Sequence, residues 1–346
     1  MDEQGEPIFY RVPESFAVAK NDGERWRWVL AEMISKGDEN SRDCAHMRLA
    51  GFLYENFGVQ TLRSSPWFYR PRDKEEVSGI SALQTLRDDE TIARLANGIR
   101  RFALPDEFNY ISIYHTLAEG NGSQALSALW QLVEIYENRR QYDKALRWLQ
   151  NGHERWGGQR FIQHMAAITG NWCEFRPGEV QLAGRRAEVE LCFRNARTVT
   201  LSVQRLDLPA LVRESQRHIE KTRRDRDLDW RWGDLQALPE LVLAEGGEKY
   251  LLGKPEVWEQ PLQPRERHLD TVTRITVPVQ DAGAYWVVAT MPNGNVARQM
   301  LLLEDIKLVR KATDNGISWQ LLNAASGHPV ANTKIDFFGW MIDWDG

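Results

Sequence analysis

The chain has 346 residues and a mass of 40.0 kDa, enough for about two or three domains that each bury a core. Lys and Arg total 44 against 49 Asp and Glu, giving a formal charge of -5 and a pI near 5.9, with no cationic excess to meet nucleic acid. Mean hydropathy is -0.52 and no apolar run approaches the roughly 20 residues of a membrane span; MDEQGEPIFY has neither the basic start nor the apolar stretch of a secretory leader.

The first half has helical periodicity. Trp26, Leu30, Met33 and Ile34 recur at three and four, and after Lys36-Gly37-Asp38 a second stripe runs Ala45, Leu49, Phe52, Leu53, which predicts two antiparallel helices. A third helix is expected after Asp88-Asp89-Glu90, carboxylates suited to a helix N-terminus, with Ile92, Leu95, Ile99 and Phe102 on one face and Pro105 at its end. From Ala125 to Gly158, Leu129, Leu132 and Tyr136 share one predicted helix and Tyr142, Ala145 and Leu149 the next, with a polar turn at Glu137 to Gln141. That spacing resembles a tetratricopeptide repeat. It departs from the pattern at Val133, where a small residue is usual, and at Gly157, where proline often closes the repeat. Because one repeat cannot bury its own face, the earlier helices are expected to stack on it. The 14 tryptophans, more numerous than phenylalanine, read as core residues.

The period changes near Phe161 to Gly170. Ala187, Val189, Leu191 and Phe193 alternate with Glu188, Glu190, Cys192 and Arg194, and after Asn195-Ala196-Arg197 a second strand places Val199, Leu201 and Val203 inside, so the pair reads as an antiparallel hairpin. The segment Ser215 to Trp232 interleaves Arg223, Arg224 and Arg226 with Asp225, Asp227 and Asp229, which cancels its field and predicts a solvated helix or long inter-strand loop. A further strand follows in TVTRITVPV, then two strands joined at Pro292-Asn293-Gly294-Asn295, where Asn-Gly supplies positive φ. Asp281, Gly283 and Tyr285 form the D-x-G-x-Y arrangement of immunoglobulin-like sandwiches, in which the tyrosine hydroxyl ties down a corner. After Asp305 new strands are expected at Ile306 to Lys311, Ile317 to Leu322 and Lys334 to Trp340. A seven-stranded sandwich takes roughly 100 residues, so the last domain is expected to be incomplete and the chain to be a piece of a longer protein.

No spacing demanded by common chemistry is present: no phosphate-binding G-x-x-x-x-G-K-[ST], no G-x-G-x-x-G after a strand, no H-E-x-x-H, no G-x-S-x-G and no paired cysteine ligands. The histidines, at 46, 115, 153, 164, 218, 268 and 328, are scattered singly and read as structural or exposed. Cys44 and His46 lie two apart on a helix, about 200° around the axis, so they do not form an activated thiol pair. Cys44, Cys173 and Cys192 are odd in number and far apart, which predicts no disulfide framework. No catalytic, cofactor-binding or metal-binding residue is assigned, and no cofactor is expected. An enzyme would be reconsidered only if distant groups such as His164 and Cys173 converged in a cleft.

The β half resembles the start of a bacterial alpha-2-macroglobulin. The resemblance is carried in order by three blocks: Phe175 to Leu208, similar to the first macroglobulin-like strands; Asp281 to Ala312, similar to a closing hairpin; and Ile317 to Trp340, similar to the opening of the next domain. FGVQTL (Phe57 to Leu62) and LPDEFN (Leu104 to Asn109) also look like parts of the helical region that precedes the sandwiches in a large bacterial branch of the family. The resemblance implies an α-then-β multidomain chain: a helical, tetratricopeptide-like region over 1–165, a macroglobulin-like antiparallel β-sandwich over 166–305, and the start of a second over 306–346.

Family members are large protease traps in which cleavage of an exposed bait segment triggers collapse around the protease, and many carry an internal thioester in a C-G-E-Q motif. None of the three cysteines here opens that motif, and the family's bait lies far beyond residue 346. The expected role is therefore the scaffold of an endopeptidase inhibitor, with proteases engaged through regions outside this chain and a protein or peptide as a candidate partner at the helices. The resemblance implies a periplasmic or extracellular place. The alternative is a non-enzymatic interaction scaffold, with tetratricopeptide-like helices that bind a peptide and a sandwich that serves as spacer or adhesion module.

Overall fold

A computed structural model describes residues 7–59, 79–80, 82–95, 98–221, 238–313, 316–335 and 337. Helices come first and largely antiparallel sheets follow. The chain divides into two compact units, Met1–Thr169 with Glu266–Leu269, and Gly170–Arg265 with Asp270–Gly346.

The first unit opens with α1 (Asp22–Lys36) and α2 (Glu39–Phe57). Each begins at a side-chain cap: Asn21 Oδ1 accepts from the Glu24 N–H at 2.9 Å and Asp38 Oδ1 from the Ser41 N–H at 2.8 Å, satisfying donors the first turn leaves open. Then come α3 (Tyr110–Glu119), capped by Asn109, and α4 (Ala125–Asn138), α5 (Tyr142–Trp156) and α6 (Gln159–Thr169). Successive helices pack against one another from α1 to α2, α2 to α3, α3 to α4, α4 to α5 and α5 to α6. Their shared core holds Leu53, Tyr110, Ile111, Leu129, Leu132 and Leu149. The α4–α5 turn ends α4 with Arg140 in the left-handed region (φ 55), which lets the Gln141 N–H reach the Tyr136 carbonyl at 2.8 Å. Gly152 leaves room for its neighbours; a Cβ there would overlap the Phe161 ring of α6 and crowd the Leu129 side chain of α4 at 3.2 Å. The helix α6 runs past 165/166, where the sequence places a domain boundary, as far as Thr169.

One expected helix is absent. Residues after Asp88-Asp89-Glu90 form an antiparallel hairpin, β1 (Glu90–Leu95) with β2 (Gly98–Ala103), in which Thr91 pairs Phe102 and Leu95 pairs Gly98. The apolar residues at 92, 95, 99 and 102 fit a helical stripe by spacing alone, yet Ile99 is 53% exposed. The competing signals are the β-branched Thr91, Ile92 and Ile99 around Asn97-Gly98, a dipeptide that favours tight hairpin turns. The acidic cluster accordingly caps no helix: Glu90 pairs Arg101 at 2.6 Å, Asp89 pairs Arg87 at 3.0 Å and Asp88 pairs Lys144 at 2.7 Å. Pro105 ends no helix either; it follows β2 and leads a single 3-10 turn, Asp106–Phe108.

The second unit contains a sandwich of two sheets. One sheet is ordered β3 (Trp172–Phe175), β5 (Ala187–Arg194), β8 (Thr271–Val277), all antiparallel. The other is ordered β4 (Gln181–Leu182), β10 (Val296–Glu304), β9 (Gly283–Thr290), β6 (Thr198–Leu206), β7 (Leu251–Pro261), with β4 parallel to β10. Leu191, Phe193, Val199, Leu201, Val277, Val287 and Leu301 from both sheets make one core. The two strands read as a hairpin, β5 and β6, are therefore not paired: β6 pairs β7 and β9. The Asn195-Ala196-Arg197 turn, with Asn195 at φ 65, carries the chain across the sandwich, so the two alternating patterns face each other instead of lying side by side. The outer face of the larger sheet, with Leu206, Ala284 and Trp286, is covered by α7 (Leu208–Lys221) and α8 (Leu238–Leu243) through Leu211, Leu238 and Val242. The described part of the charged segment is thus the C-terminal half of α7, in which Ser215 is buried, not a fully solvated helix; residues 222–237 lie outside the described residues.

The β9–β10 turn forms as expected, but only Asn293 takes a positive φ (51). Gly294 is required for room, since a Cβ there would meet the Asn171 carbonyl and, at 2.8 Å, the Met291 Cβ. The last sheet pairs β11 (Ile306–Thr313) with β12 (Gly316–Asn323). Lys334 and Ile335 are not in a strand, and most of the further strand expected there falls outside the described residues. Among the described tryptophans only Trp286 is buried; Trp130, Trp148 and Trp258 pack half-buried against the cores, and the others sit half-buried or exposed, so the reading of these rings as core residues holds for only some of them. No described helix is long and apolar enough to cross a membrane.

Candidate functional site

The most chemically furnished cleft among the described residues lies on the helical unit, where α3, α4 and α5 meet the segment before β1. It is an open cleft of about 340 Å³, lined by Asp88, His115, Glu119, Tyr136, Lys144, Arg147, Trp148 and Asn151. Helical spacing places these groups: His115 and Glu119 are one turn apart on α3, and Lys144, Arg147, Trp148 and Asn151 follow at three and four along α5. Asp88 is brought in by a buried clamp. Arg139, at the end of α4 and 1% exposed, donates to the Arg87 carbonyl at 3.0 Å, the Glu90 carbonyl at 2.9 Å and the Tyr110 hydroxyl at 2.7 Å. The Gln141 amide donates to the Leu86 carbonyl at 2.6 Å. These bonds fix residues 86–90 against the α4–α5 turn.

Within the cleft, His115 Nε2 and the Tyr136 hydroxyl share a hydrogen bond of 2.7 Å. Lys144 Nζ pairs with Asp88 Oδ1 at 2.7 Å, and the Trp148 ring meets His115 edge-on at 4.9 Å. Burial pushes the His115 imidazolium pKa down, against the opposing pull of Asp88 and Glu119, and the Tyr136 phenol up, with Asp88 adding to the rise. Both groups are therefore held neutral, and the charge of the cleft sits on Asp88, Lys144, Glu119 and Arg147. The arrangement can orient a small polar ligand. It presents no nucleophile with a base and an oxyanion donor.

The other sequence candidates stay apart. His46 lines a separate cleft with Glu39, Arg42, Asp43 and Asn121; Cys44, on the same helix, takes a 3.7 Å contact from the Gln124 amide. His164 pairs with Glu137 at 2.8 Å beside Trp130. Cys173 is buried in the sandwich core, and burial pushes the Cys173 and Cys192 thiols up to about 11, which keeps them protonated. All three cysteines are free. Among the described residues no three of His, Cys, Asp and Glu are grouped to hold a metal ion. The corner tyrosine behaves as its motif predicts: the Tyr285 hydroxyl donates to the Asp281 carbonyl at 2.9 Å. Sequence reasoning missed the cleft because α3 was unassigned; its signal was the Asn109 cap followed by Tyr110, Ile111, Tyr114, Leu117 and Ala118.

Helices followed by a two-sheet sandwich define the class of architecture. Among solved structures, the chain is similar to a fragment of alpha-2-macroglobulin from Escherichia coli that spans its domains MG0-NIE-MG1, at 15% identity and a TM-score of 0.28, over 45% of this chain and 46% of that one. It is also similar to a fragment of the same protein that spans NIE-MG1, at 16% identity and a TM-score of 0.30, over 47% of this chain and 74% of that one. The match thus spans under half the length of the first fragment. The protein that both fragments come from is of the family the sequence blocks resemble. No family model and no curated protein matches the chain.

Proposed function

We propose that this chain is the N-terminal scaffold portion of an alpha-2-macroglobulin-like endopeptidase inhibitor and performs no catalysis itself. The observation that supports the reading is the sandwich fastened by the Tyr285–Asp281 corner, in which β4, β5 and β6 fall in the first block of family resemblance and β9 and β10 in the second, with helices before it in the chain. In this reading the sandwich positions trapping elements supplied elsewhere in the protein, proteases are the partners, and the place of work is the periplasm or the cell exterior. The test is to incubate the complete product with several proteases and follow cleavage by mass. Cleavage at one exposed site, then compaction and protection of large but not small substrates, is the expected result. Cleavage without retention of the protease would overturn it.

A second reading, a non-enzymatic interaction scaffold, is favoured by the successive packing of α1 to α6, an arrangement that leaves extended surfaces for a peptide. Binding of a defined peptide to the helical unit in the absence of any protease is its expected signature. A helical unit that binds no peptide under those conditions would sink it.

A further inference from the structure

The cleft between α3, α4 and α5 carries its own chemistry, independent of the protease-trap reading. Lys144 and Asp88 neutralise each other at 2.7 Å, and His115 with Tyr136 supplies an uncharged polar floor. Two charges of opposite sign then remain at the rim. Arg147, on α5, has a side chain 76% exposed and makes a long ion pair with Asp143 at 3.8 Å, one turn back on the same helix; Glu119, on α3, is exposed. The Trp148 ring and Asn151 complete the lining. The volume of about 340 Å³ stands at the small end of ligand sites, room for one or two residues and not for a folded partner. A singly charged ligand would match one rim charge and meet the other without a partner group of its own. A zwitterion satisfies both, and an apolar side chain has the Trp148 ring to cover.

We propose that this cleft binds a small zwitterion with an apolar side chain, an α-amino acid or dipeptide, with its carboxylate toward Arg147, its ammonium toward Glu119 and its side chain on Trp148. The carboxylate gains a planar guanidinium partner and the ammonium an acceptor, so each end is read by a charge-assisted hydrogen bond. Blocking either end removes one of the two and leaves the opposing rim charge unmatched.

The test uses the whole chain and four probes in titration calorimetry: phenylalanine, glycyl-phenylalanine, N-acetyl-phenylalanine and phenylalanine amide. Phenylalanine or the dipeptide is expected to bind with a Kd below about 1 mM, and the two blocked forms at least about 10-fold more weakly. Whichever of the first two binds tighter identifies the source as free amino acid or peptide. Arg147→Gln should erase the discrimination against the amide and Glu119→Gln that against the acetylated form. Both positions are on the surface, so each variant keeps the fold. Absence of saturable binding of either zwitterion up to about 10 mM overturns the proposal, as does equal binding of the blocked forms.

Discussion

Arg139 shows how one side chain can organise several elements. Its guanidinium is buried where no water can replace the two carbonyl acceptors and the Tyr110 hydroxyl that it serves. Arg139→Met removes the donor and leaves those groups unmatched at about 1–3 kcal/mol apiece, so a loss of about 3 kcal/mol or more is expected in urea unfolding. The same variant should free residues 86–90 and break the Asp88–Lys144 pair. His115 is a second such residue. Its pKa is lowered in the folded state by burial, so below the unfolded value of about 6.5 the unfolded chain takes up a proton that the folded chain refuses. Stability is complete above that value and is lost as pH falls through it. Asp88 and Glu119 oppose the shift and Lys144 adds to it. The urea midpoint should fall between pH 7.5 and pH 5.5, and His115→Gln should flatten the part of that slope that His115 contributes.

At the level of elements, the same apolar spacing can serve two backbones, and partners decide between them. Helix α5 was legible because Tyr142, Ala145, Leu149 and Gly152 form one continuous stripe and a partner helix takes it. The β1–β2 hairpin escapes a reading by periodicity because a short apolar set at three and four spacing carries little information against the β-branched residues and the Asn-Gly dipeptide in the same stretch of sequence. Strand β7 raises a different problem, since among the described strands it is the edge of the larger sheet and pairs only with β6. Its register with β6 shifts between Val203 and Arg205, opposite Gly253 (φ 72), Lys254 and Pro255, and Gln204 donates to the Gly253 carbonyl at 2.9 Å. A bulge, a lysine and a proline are devices that blunt an edge against another strand. Replacing Lys254 and Pro255 by Val is expected to cause concentration-dependent self-association in light scattering, with the parent chain monodisperse under the same conditions.

Across the whole molecule, each compact unit holds its own core: one around Leu129, Leu132 and Tyr136, another around Leu191, Leu201 and Val287. Separate cores predict unfolding that is not two-state. Calorimetry should resolve two transitions. Leu129→Ala, at a fully buried helix position, should lower one of them by about 2–5 kcal/mol of unit stability, and Leu201→Ala the other, each leaving its counterpart in place. A single transition shifted by both variants would show the cores to be one cooperative system.

Local physics determined, from sequence alone, the paired helices of 125–156, the alternation of β5 and β6, the β9–β10 turn and the Tyr285 corner, because each depends on residues within one or two elements. Tertiary structure decided what depends on distant partners. Two alternating strands with the same period can pair side by side or face each other across a core, and only the neighbours β3, β8, β7 and β9 select the second. Asp88 enters the cleft because Arg139 and Gln141, some fifty residues on, hold its carbonyl neighbours. Charges and rings from four separate segments become one site only when the helices stack, and no spacing along the chain encodes that meeting.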